Sequence, residues 1–555
     1  MKINKWLIIL LFIILIYPFL IKYNYVAHNQ YEQIPLINRF LNPHYLSNDW
    51  SININSKFSP RYFYLLYMSL LAKYISLPAA YYLNYLLVIS CVALATFLLT
   101  KKLFKSDFIS LMTTLFILFG RSYSLGGNDL VGRDLDPPRM AFSLVILGFS
   151  LLVYRRWMLG AVFFAAASYI HPLIGFEVPF VFYLSMTLAS WPARRFVSIG
   201  KSFILYLLLA SYPLYTYLQT LLNNKTTNLQ SDVLFTILMK IRAPAHYLPS
   251  SWDLSIYLKF LLFLALAFSF YMLFRQKFLS FDKKTIINSV SIILLLAFTG
   301  YIFTEIIPIY FLAALQLFRL TVIVYWLMAI FLYGSVFYYT FTMQFSNKFK
   351  FAFLLLIFII VYPEVITAPG PTHFLYLILA VIISLFLTKI KINTSKLRYL
   401  LIIAVIVNFS LLYRHYSFRL KELYPFSSAE TSLEDWVRSN TPQEAIFLTP
   451  PDFYSFRLNA ERATIIDWLV MPFEPKGMME WAERISDVSG IQITGFYGIT
   501  GSKALEGYKT LDENRLNYLR QKYRIDYVVT SKNRTLPLPY LYSNDRYILY
   551  TTIKE

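Results

Sequence analysis

The sequence predicts an all-α polytopic membrane domain followed by a small α/β domain. Hydrophobic residues make up 57% of the 555 positions and charged residues only 15%, whereas soluble domains have about 25% charged residues. Mean hydropathy is +0.53, and the apolar residues occur in long runs that stop after Tyr413. This composition excludes a soluble globular enzyme and a disordered protein. The single cysteine, Cys91, lies in an apolar run, which excludes a disulfide framework and a cysteine metal site.

About thirteen runs are long and apolar enough to cross a membrane, given that a spanning helix needs roughly 20 apolar residues. The first run follows Lys2 and Lys5, as in a signal peptide, but no small-residue cleavage site follows it, so we expect a retained helix. The predicted spans are 6–22, 81–100, 107–122, 140–154, 158–172, 173–190, 198–220, 256–274, 285–305, 318–342, 351–364, 373–388 and 398–414.

The basic residues indicate the orientation. The formal charge is +21, but these residues form short clusters between apolar runs, so we expect no nucleic-acid partner. With thirteen spans and a cytoplasmic N-terminus, every cluster falls on the inner side of a plasma membrane, as the positive-inside rule requires. The clusters are Lys101, Lys102 and Lys105; Arg155 and Arg156; Arg194 and Arg195; Arg275, Lys277, Lys283 and Lys284; Lys348 and Lys350; and Lys389, Lys391, Lys396 and Arg398.

Residues 61–76 are apolar, but counting them as a span would put all these clusters outside. We therefore predict an amphipathic helix at the outer surface, with Arg61 and Lys73 snorkelling. The predicted domains are a membrane domain, 1–414, and an extracytoplasmic α/β domain, 415–555. The membrane domain's outer loops are then 23–80, 121–139 and 221–255.

Alternating helix and strand patterns predict the α/β domain. Ser427 and Ser428 can cap a helix through Leu433 and Val437 that ends at Asn440. The predicted later elements are strands at 445–448, 464–466, 526–529 and 546–552, and helices at 476–487 and 511–523. No phosphate-binding glycine loop or nucleophile elbow occurs there, so we expect the domain to cover or shape the outer face of the membrane domain.

The first outer loop contains His44 and Asn48-Asp49-Trp50 just before the surface helix. A carboxylate at Asp49 could reach a substrate held at the lipid headgroups. The alternative is a simple turn, because Asn-Asp pairs are common turn formers.

The second outer loop, 121–139, carries the Asp-x-Asp pair Asp134 and Asp136, followed by Arg139. Two hard carboxylates suit a divalent cation such as Mg²⁺ or Mn²⁺, which could meet a phosphate. The alternative is that the aspartates pair with the neighbouring arginines and order the loop.

The third outer loop presents Arg242 and His246 between prolines that restrict the backbone. Arginine suits bidentate phosphate binding and histidine adds a donor. The alternative is a rigid surface loop with incidental charges, which would show the same sequence features. His171, Glu177 and Arg319 lie at or near membrane depth, where ionisable residues default to functional hypotheses. The alternatives are a structural hydrogen bond for His171 and snorkelling for Arg319.

Taken together, these features resemble the GT-C superfamily of integral-membrane glycosyltransferases. The matching features are the acidic first loop with Asn48-Asp49, the following surface helix, the acidic second loop, about thirteen spans and the outer C-terminal domain. Four motifs look like a bacterial branch of that superfamily: Asp136-Pro137-Pro138-Arg139, His171-Pro172, the run from Arg242 to Pro249, and the run from Leu448 to Asp452.

The resemblance implies transfer of a sugar from a polyprenyl-phosphate or diphosphate carrier, a lipid-linked donor, to an acceptor hydroxyl or amide outside the membrane. Asp49 would act as the general base or orient the acceptor. Arg242, His246 and Arg319 would hold the leaving phosphate, with His44 and His171 as possible support. Asp134 and Asp136 would bind a metal or position Arg139. The first loop has Asn-Asp where a carboxylate pair is expected, and the Trp-Trp-Asp-Tyr-Gly signature of oligosaccharyltransferases is absent.

Three other functions remain open at this point. A transporter or flippase for lipid-linked glycans would be expected to show internal repeats, and none is found. A polysaccharide polymerase or ligase would place its large outer loop in mid-chain. A catalytically inactive GT-C relative that serves as a scaffold would carry the same sequence features.

Overall fold

The computed structural model describes residues 5–120, 122–190, 195–223, 228–274, 280–342, 428–491 and 501–553, with five isolated positions between 399 and 406. Helices form most of the described part before residue 343. In chain order they are α1 (Lys5–Leu20), α2 (Gln30–Leu41), α3 (Trp50–Asn55), α4 (Tyr62–Ala72), α5 (Leu77–Phe104), α6 (Asp107–Phe119), α7 (Pro137–Val153), α8 (Trp157–Ile170), α9 (Pro172–Ser190), α10 (Phe196–Leu209), α11 (Ser211–Asn223), α12 (Asn228–Phe235), α13 (Pro244–Tyr247), α14 (Leu254–Phe274), α15 (Ser280–Tyr301), α16 (Tyr310–Ala313) and α17 (Thr321–Thr342).

A helix lies at each of the first ten predicted spans. In the part of the chain that the structure describes, five helical segments are long and apolar enough to cross a membrane, and α10 with α11 makes a sixth if this pair, bent by 58°, is one span. Several others, including α1 and α6, are shorter apolar helices of 10–17 residues. The last three predicted spans and the predicted boundary at 414 fall outside the described residues. The count of thirteen therefore stays a prediction.

Basic residues from separate loops gather at one end of the bundle. The Lys102 ammonium lies 5.4 Å from the Tyr154 ring, and the Arg195 guanidinium lies 4.2 Å from the Phe281 ring. Lys101 also forms a 2.8 Å ion pair with Asp107 across the turn between α5 and α6. The described basic clusters therefore share one end, as the predicted alternation of spans requires.

Small residues let α8 and α9 approach closely. A Cβ added at Gly175 would lie 2.3 Å from the Ser168 backbone, so only glycine fits. The Ser168 hydroxyl and the Tyr206 hydroxyl each donate to the Gly175 carbonyl at 2.8 Å. Such small-residue contacts and interhelical hydrogen bonds are typical of membrane bundles, where lipid removes the hydrophobic drive for helices to associate.

Helix α4 begins at Tyr62 within the predicted surface segment and ends at Ala72, which is too short to span. The snorkelling prediction for Arg61 is wrong. Its guanidinium forms an ion pair with the buried carboxylate of Glu32 and lies 5.0 Å from the Phe473 ring of the C-terminal domain. Arg61 therefore points into the protein.

The described C-terminal residues form a five-stranded mixed sheet. In chain order its strands are β1 (Ile446–Leu448), β2 (Ala463–Thr464), β3 (Tyr527–Ser531), β4 (Tyr540–Ser543) and β5 (Tyr547–Thr551). Their order in the sheet is β2-β1-β3-β5-β4. Strands β2, β1 and β3 are parallel to one another, and β5 is antiparallel to both β3 and β4. The helices are Ser428–Asn440, Phe456–Asn459, Pro475–Ser489, Gly501–Lys509 and Glu513–Tyr523. The predicted small α/β fold is confirmed, but the edge strand β4, the short helix Phe456–Asn459 and the helix Gly501–Lys509 were missed.

The sheet domain packs directly on the first outer loop. The Tyr45 hydroxyl donates to the Arg457 carbonyl at 3.1 Å, and the Asn48 amide donates to the Glu444 carbonyl at 2.8 Å. The Arg484 guanidinium lies 4.4 Å from the Trp50 ring. Short helices of the loop therefore form part of the base on which the C-terminal domain rests.

Candidate active site

The predicted outer loops meet one another at a single end of the bundle. The Asn24 amide donates to the Arg133 carbonyl at 2.8 Å, and the Gln30 side chain donates to the Leu135 carbonyl at 2.9 Å. The second loop then reaches the third, because His246 Nδ1 is 2.8 Å from the Gly126 carbonyl. Segments far apart in sequence thus build one polar region.

Six ionisable residues converge there, and we call them the central cluster: Glu32, Arg61, Asp136, Arg242, His246 and Arg319. Glu32 lies in the first turn of α2 and is buried. The other five are half-buried, so each keeps some accessible surface. Each is delivered by the start of a helix or by a short irregular helix, where the chain can turn a side chain inward.

Local structure explains these positions. Arg242 ends a π-helical segment, Thr236–Arg242, immediately before Pro244 starts α13. Arg319 lies in a 3₁₀ turn, Leu317–Leu320, that leads into α17. Irregular helical turns are common where a side chain serves a function. Asp136 precedes Pro137, whose fixed φ suits the first position of α7.

Electrostatic interactions show that the cluster is compact. Burial lowers the pKa of His246, and the charges of Arg319 and Arg242 lower it further, while Asp136 acts in the opposite direction. Burial also lowers the pKa of Arg242, where Glu32 opposes that effect and Arg61 adds to it. His246 is therefore a neutral imidazole at neutral pH, with Nδ1–H donating to Gly126 and Nε2 left as an acceptor.

The arginines differ in how fully they are paired. Arg61 is committed to Glu32. Arg242 donates from Nη2 to the Leu469 carbonyl at 2.9 Å, and Arg319 Nη1 lies 2.9 Å from His171 Nε2. Within the described part of the chain, the Nε atoms of Arg242 and Arg319 have no hydrogen-bond partner. Each guanidinium is therefore incompletely hydrogen-bonded, and both arginines keep some accessible surface that an anionic ligand can approach.

His171 takes the structural role that was its alternative. Because arginine only donates, His171 Nε2 accepts from Arg319 and holds that guanidinium in place. Glu177, one turn into α9, lies within electrostatic reach of Arg319, and its Oε1 has no partner among the described residues. The alternative that Arg319 only snorkels does not fit these contacts.

Asp49 lies outside the cluster, in the contact between the first loop and the C-terminal domain. Its carboxylate is 0% exposed and accepts from Arg457 Nε at 2.6 Å, from the Thr464 amide at 3.0 Å and, as cap of α3, from the Ile52 amide at 3.0 Å. A carboxylate paired in this way has no accessible oxygen for an acceptor. Its position therefore gives no support to the general-base prediction.

The Asp-x-Asp pair is divided between two environments. Asp134 is paired with Arg139 at 2.8 Å and lies 3.7 Å from His28. Burial raises the pKa of Asp134, but Arg139 and His28 outweigh it and bring the pKa to about 2. Among the described residues, Asp136 has one hydrogen-bond contact, at 3.4 Å, with the Asn29 amide. The described residues contain no group of three or more ligand side chains placed for a metal ion. Asp134 is therefore engaged by Arg139, and the metal site at this pair stays a prediction.

The exposed His44 also lies apart from the cluster, in a turn where its amide donates to Asn42 Oδ1 at 3.0 Å. Sequence reasoning missed Glu32 and misread Arg61. The signal for Glu32 was present, since it is the first acidic residue after the first apolar run. Arg457 carried no signal, because its importance depends on a contact with Asp49, 408 positions away, and Asp467 gains its importance through its ion pair with Arg457.

The fold of the chain is similar to the folds of solved membrane proteins. Two crystal structures of ArnT from Cupriavidus metallidurans are similar. The one bound to undecaprenyl phosphate has a TM-score of 0.54 and 10% identity, covering 100% of this chain and 99% of that one. The apo structure has a TM-score of 0.53 and 9% identity, covering 99% and 98%. The archaeal oligosaccharyltransferase AglB from Archaeoglobus fulgidus gives 0.47 and 12%, covering 90% and 65%. Residues 428–488 match DUF6798, a domain of unknown function. No curated protein matches the sequence.

Proposed function

The chain has the GT-C fold, and from that premise we propose that it is a membrane glycosyltransferase. It would move a sugar from a polyprenyl-phosphate-linked donor to an acceptor on the outer side of the membrane. The observation that carries the proposal is the central cluster, in which Arg242 and Arg319 keep unpaired donors beside two carboxylates at the end of the bundle where the outer loops meet.

Arg242 and Arg319 would hold the phosphate, whereas His246, whose one N–H donates to the Gly126 carbonyl, would not donate to it. A phosphodiester donor carries one negative charge, and the departing monoester gains a second when the bond between the anomeric carbon and the phosphate oxygen breaks. Guanidiniums that are fixed before the reaction stabilise that growing charge without reorganisation. Arg319 is held by His171 and Arg242 by the Leu469 carbonyl, so both are preorganised.

Asp136 would receive the acceptor's proton as its oxygen or nitrogen attacks the anomeric carbon. Of the two carboxylates in the cluster, Glu32 is paired with Arg61, while Asp136 is half-exposed and has one long hydrogen-bond contact within the described part of the chain. Accessibility and proximity to His246 make Asp136 the better general base. The Asp49 assignment moves to Asp136 on these grounds.

Binding of undecaprenyl phosphate to the purified full-length protein tests the proposal. We expect Arg242→Ala and Arg319→Ala each to weaken binding by about tenfold, because each removes a charge-assisted contact worth roughly 1.5–3 kcal/mol. His44→Ala, in an exposed turn, is the matched control and should bind as the wild type does. Equal affinity of the wild type for undecaprenyl phosphate and for uncharged undecaprenol would contradict a phosphate site.

A further inference from the structure

A buried chain of contacts runs from the first outer loop, through the C-terminal domain, to Arg242. Arg457 lies in the short helix Phe456–Asn459 and is 2% exposed. Its Nε donates to Asp49, and its Nη1 forms an ion pair with Asp467. The planar guanidinium thus bridges two carboxylates from different domains, a geometry that a lysine ammonium on a single flexible stem cannot reproduce.

Asp467 connects this bridge to the backbone. Its Oδ1 accepts from the amides of Leu469 at 2.8 Å and Val470 at 2.7 Å, which folds residues 467–470 into a turn. The Trp481 indole donates to the Asp467 carbonyl at 3.0 Å and fixes the turn from the other side. The Leu469 carbonyl then accepts from Arg242 Nη2 at 2.9 Å.

The charges along this series of contacts also favour binding of the Arg242 guanidinium at the turn. Asp49 and Asp467 together exceed the single charge of Arg457 by one negative charge, and all three are almost fully buried. Four backbone amides, of Ile52, Thr464, Leu469 and Val470, compensate part of that excess. The field of Asp467 also reaches Arg242. The turn therefore offers Arg242 both an acceptor and a nearby negative charge.

We propose that Asp49, Arg457 and Asp467 are positioning residues that fix the 467–470 turn and, through the Leu469 carbonyl, aim the Arg242 guanidinium at the carrier phosphate. The C-terminal domain then completes the phosphate site of the membrane domain without touching the phosphate. This inference rests on the proposed function, since it presupposes that Arg242 binds phosphate.

A double-mutant cycle tests the inference with undecaprenyl phosphate as the probe and the purified full-length protein. Asp467→Asn should weaken binding about tenfold in the wild-type background, because the turn loses its anchor to Arg457. In an Arg242→Ala background, where Arg319 carries the residual binding, the same change should have an effect of less than about twofold. Arg457→Lys should behave like Asp467→Asn and provides the comparison if that variant does not fold.

Asn48→Ala is the matched control, since it removes a hydrogen bond between the same two domains but does not touch the turn. It should bind the probe as the wild type does. Additive effects in the cycle, or wild-type binding by both folded variants, would overturn the positioning role and leave the phosphate site standing. A wild-type protein that does not prefer undecaprenyl phosphate over undecaprenol would overturn both.

Discussion

At the scale of single residues, the ability of a charged side chain to bind a ligand depends on whether its charge is already paired within the protein. Asp49 and Asp134 form ion pairs with Arg457 and Arg139. Asp136, Arg242 and Arg319 keep hydrogen-bonding capacity that the described residues do not use. Local sequence cannot distinguish these cases, because Asn48-Asp49 and Asp134-Leu135-Asp136 both read as accessible acidic loops. The distinction comes from partners about 410 residues away for Asp49 and five residues away for Asp134.

Truncating Asp49, which forms a buried ion pair with Arg457, should destabilise the protein more than neutralising its charge does. Asp49→Ala leaves Arg457 short of one carboxylate and removes the cap of α3. We expect the free energy of unfolding to fall by about 3 kcal/mol or more. Thermal unfolding in detergent measures the loss. The unfolding free energy of Asp49→Asn, which keeps the shape and the cap but not the charge, should fall less, and an equal fall would mean that the lost charge alone accounts for the loss.

The ion pair between Glu32 and Arg61 allows a cleaner test of buried charge. Arg61→Met alone leaves the buried Glu32 carboxylate unpaired, so we expect it to unfold at a lower temperature than the wild type. Adding Glu32→Gln removes the orphaned charge and should recover part of that loss, as measured by thermal unfolding of the purified variants. A double variant less stable than Arg61→Met would contradict this account.

The pairing of Asp134 predicts a dependence on acid. Its folded pKa, about 2, is lower than the usual value for aspartate, so its contribution is fully present above the unfolded pKa of about 3.9. It is lost as the pH falls through the folded value. The wild type should therefore lose more stability between pH 4 and pH 2 than Asp134→Asn does, as unfolding temperatures at several pH values would reveal.

At the scale of elements, sequence periodicity predicted helices and strands well where local residues determine the secondary structure. The helix Ser428–Asn440 and the strand Tyr547–Thr551 lie within one or two residues of their predictions. The missed strand β4 is mostly exposed and pairs only with β5. It therefore has little apolar alternation to reveal it. The π-helical turn before Arg242 was also invisible, because tertiary contacts rather than propensity select it.

The contact between α8 and α9 predicts an asymmetry between two glycines. Gly175→Ala puts a Cβ 2.3 Å from the Ser168 backbone and must push the helices apart, so we expect a large drop in unfolding temperature. Gly200 lies in α10 with nothing within 4 Å of an added Cβ. Gly200→Ala should be neutral or slightly stabilising, because alanine favours helix more than glycine does. Similar behaviour of the two variants would show that the close approach does not matter.

At the scale of the whole molecule, composition and the basic clusters predicted a polytopic helical protein with an attached α/β domain, and the fold agrees. The gathering of the first three outer loops at one end supports the predicted alternation of spans. Composition could not predict how the C-terminal domain docks on the membrane domain. That contact depends on single buried pairs such as Arg457 with Asp49, which leave no periodic pattern in the chain.

The orientation makes a direct prediction. In a Cys91→Ser background, a cysteine at the exposed Glu513 should react with a membrane-impermeant thiol reagent added to intact cells. A cysteine at the exposed Lys105, at the opposite end of the bundle, should react only after the cells are opened. The reverse pattern would place the C-terminal domain in the cytoplasm.

The separation of Asp49 from Arg457 also affects how the protein is made. The two residues lie 408 positions apart, so at ribosomal rates the carboxylate emerges roughly 20 to 80 s before its partner. A nascent chain holds this loop with an uncompensated acidic group until the last domain has crossed the membrane and folded. Chains that terminate early would keep the Asp49 carboxylate unpaired. This unpaired carboxylate would distinguish incomplete copies for cellular quality control.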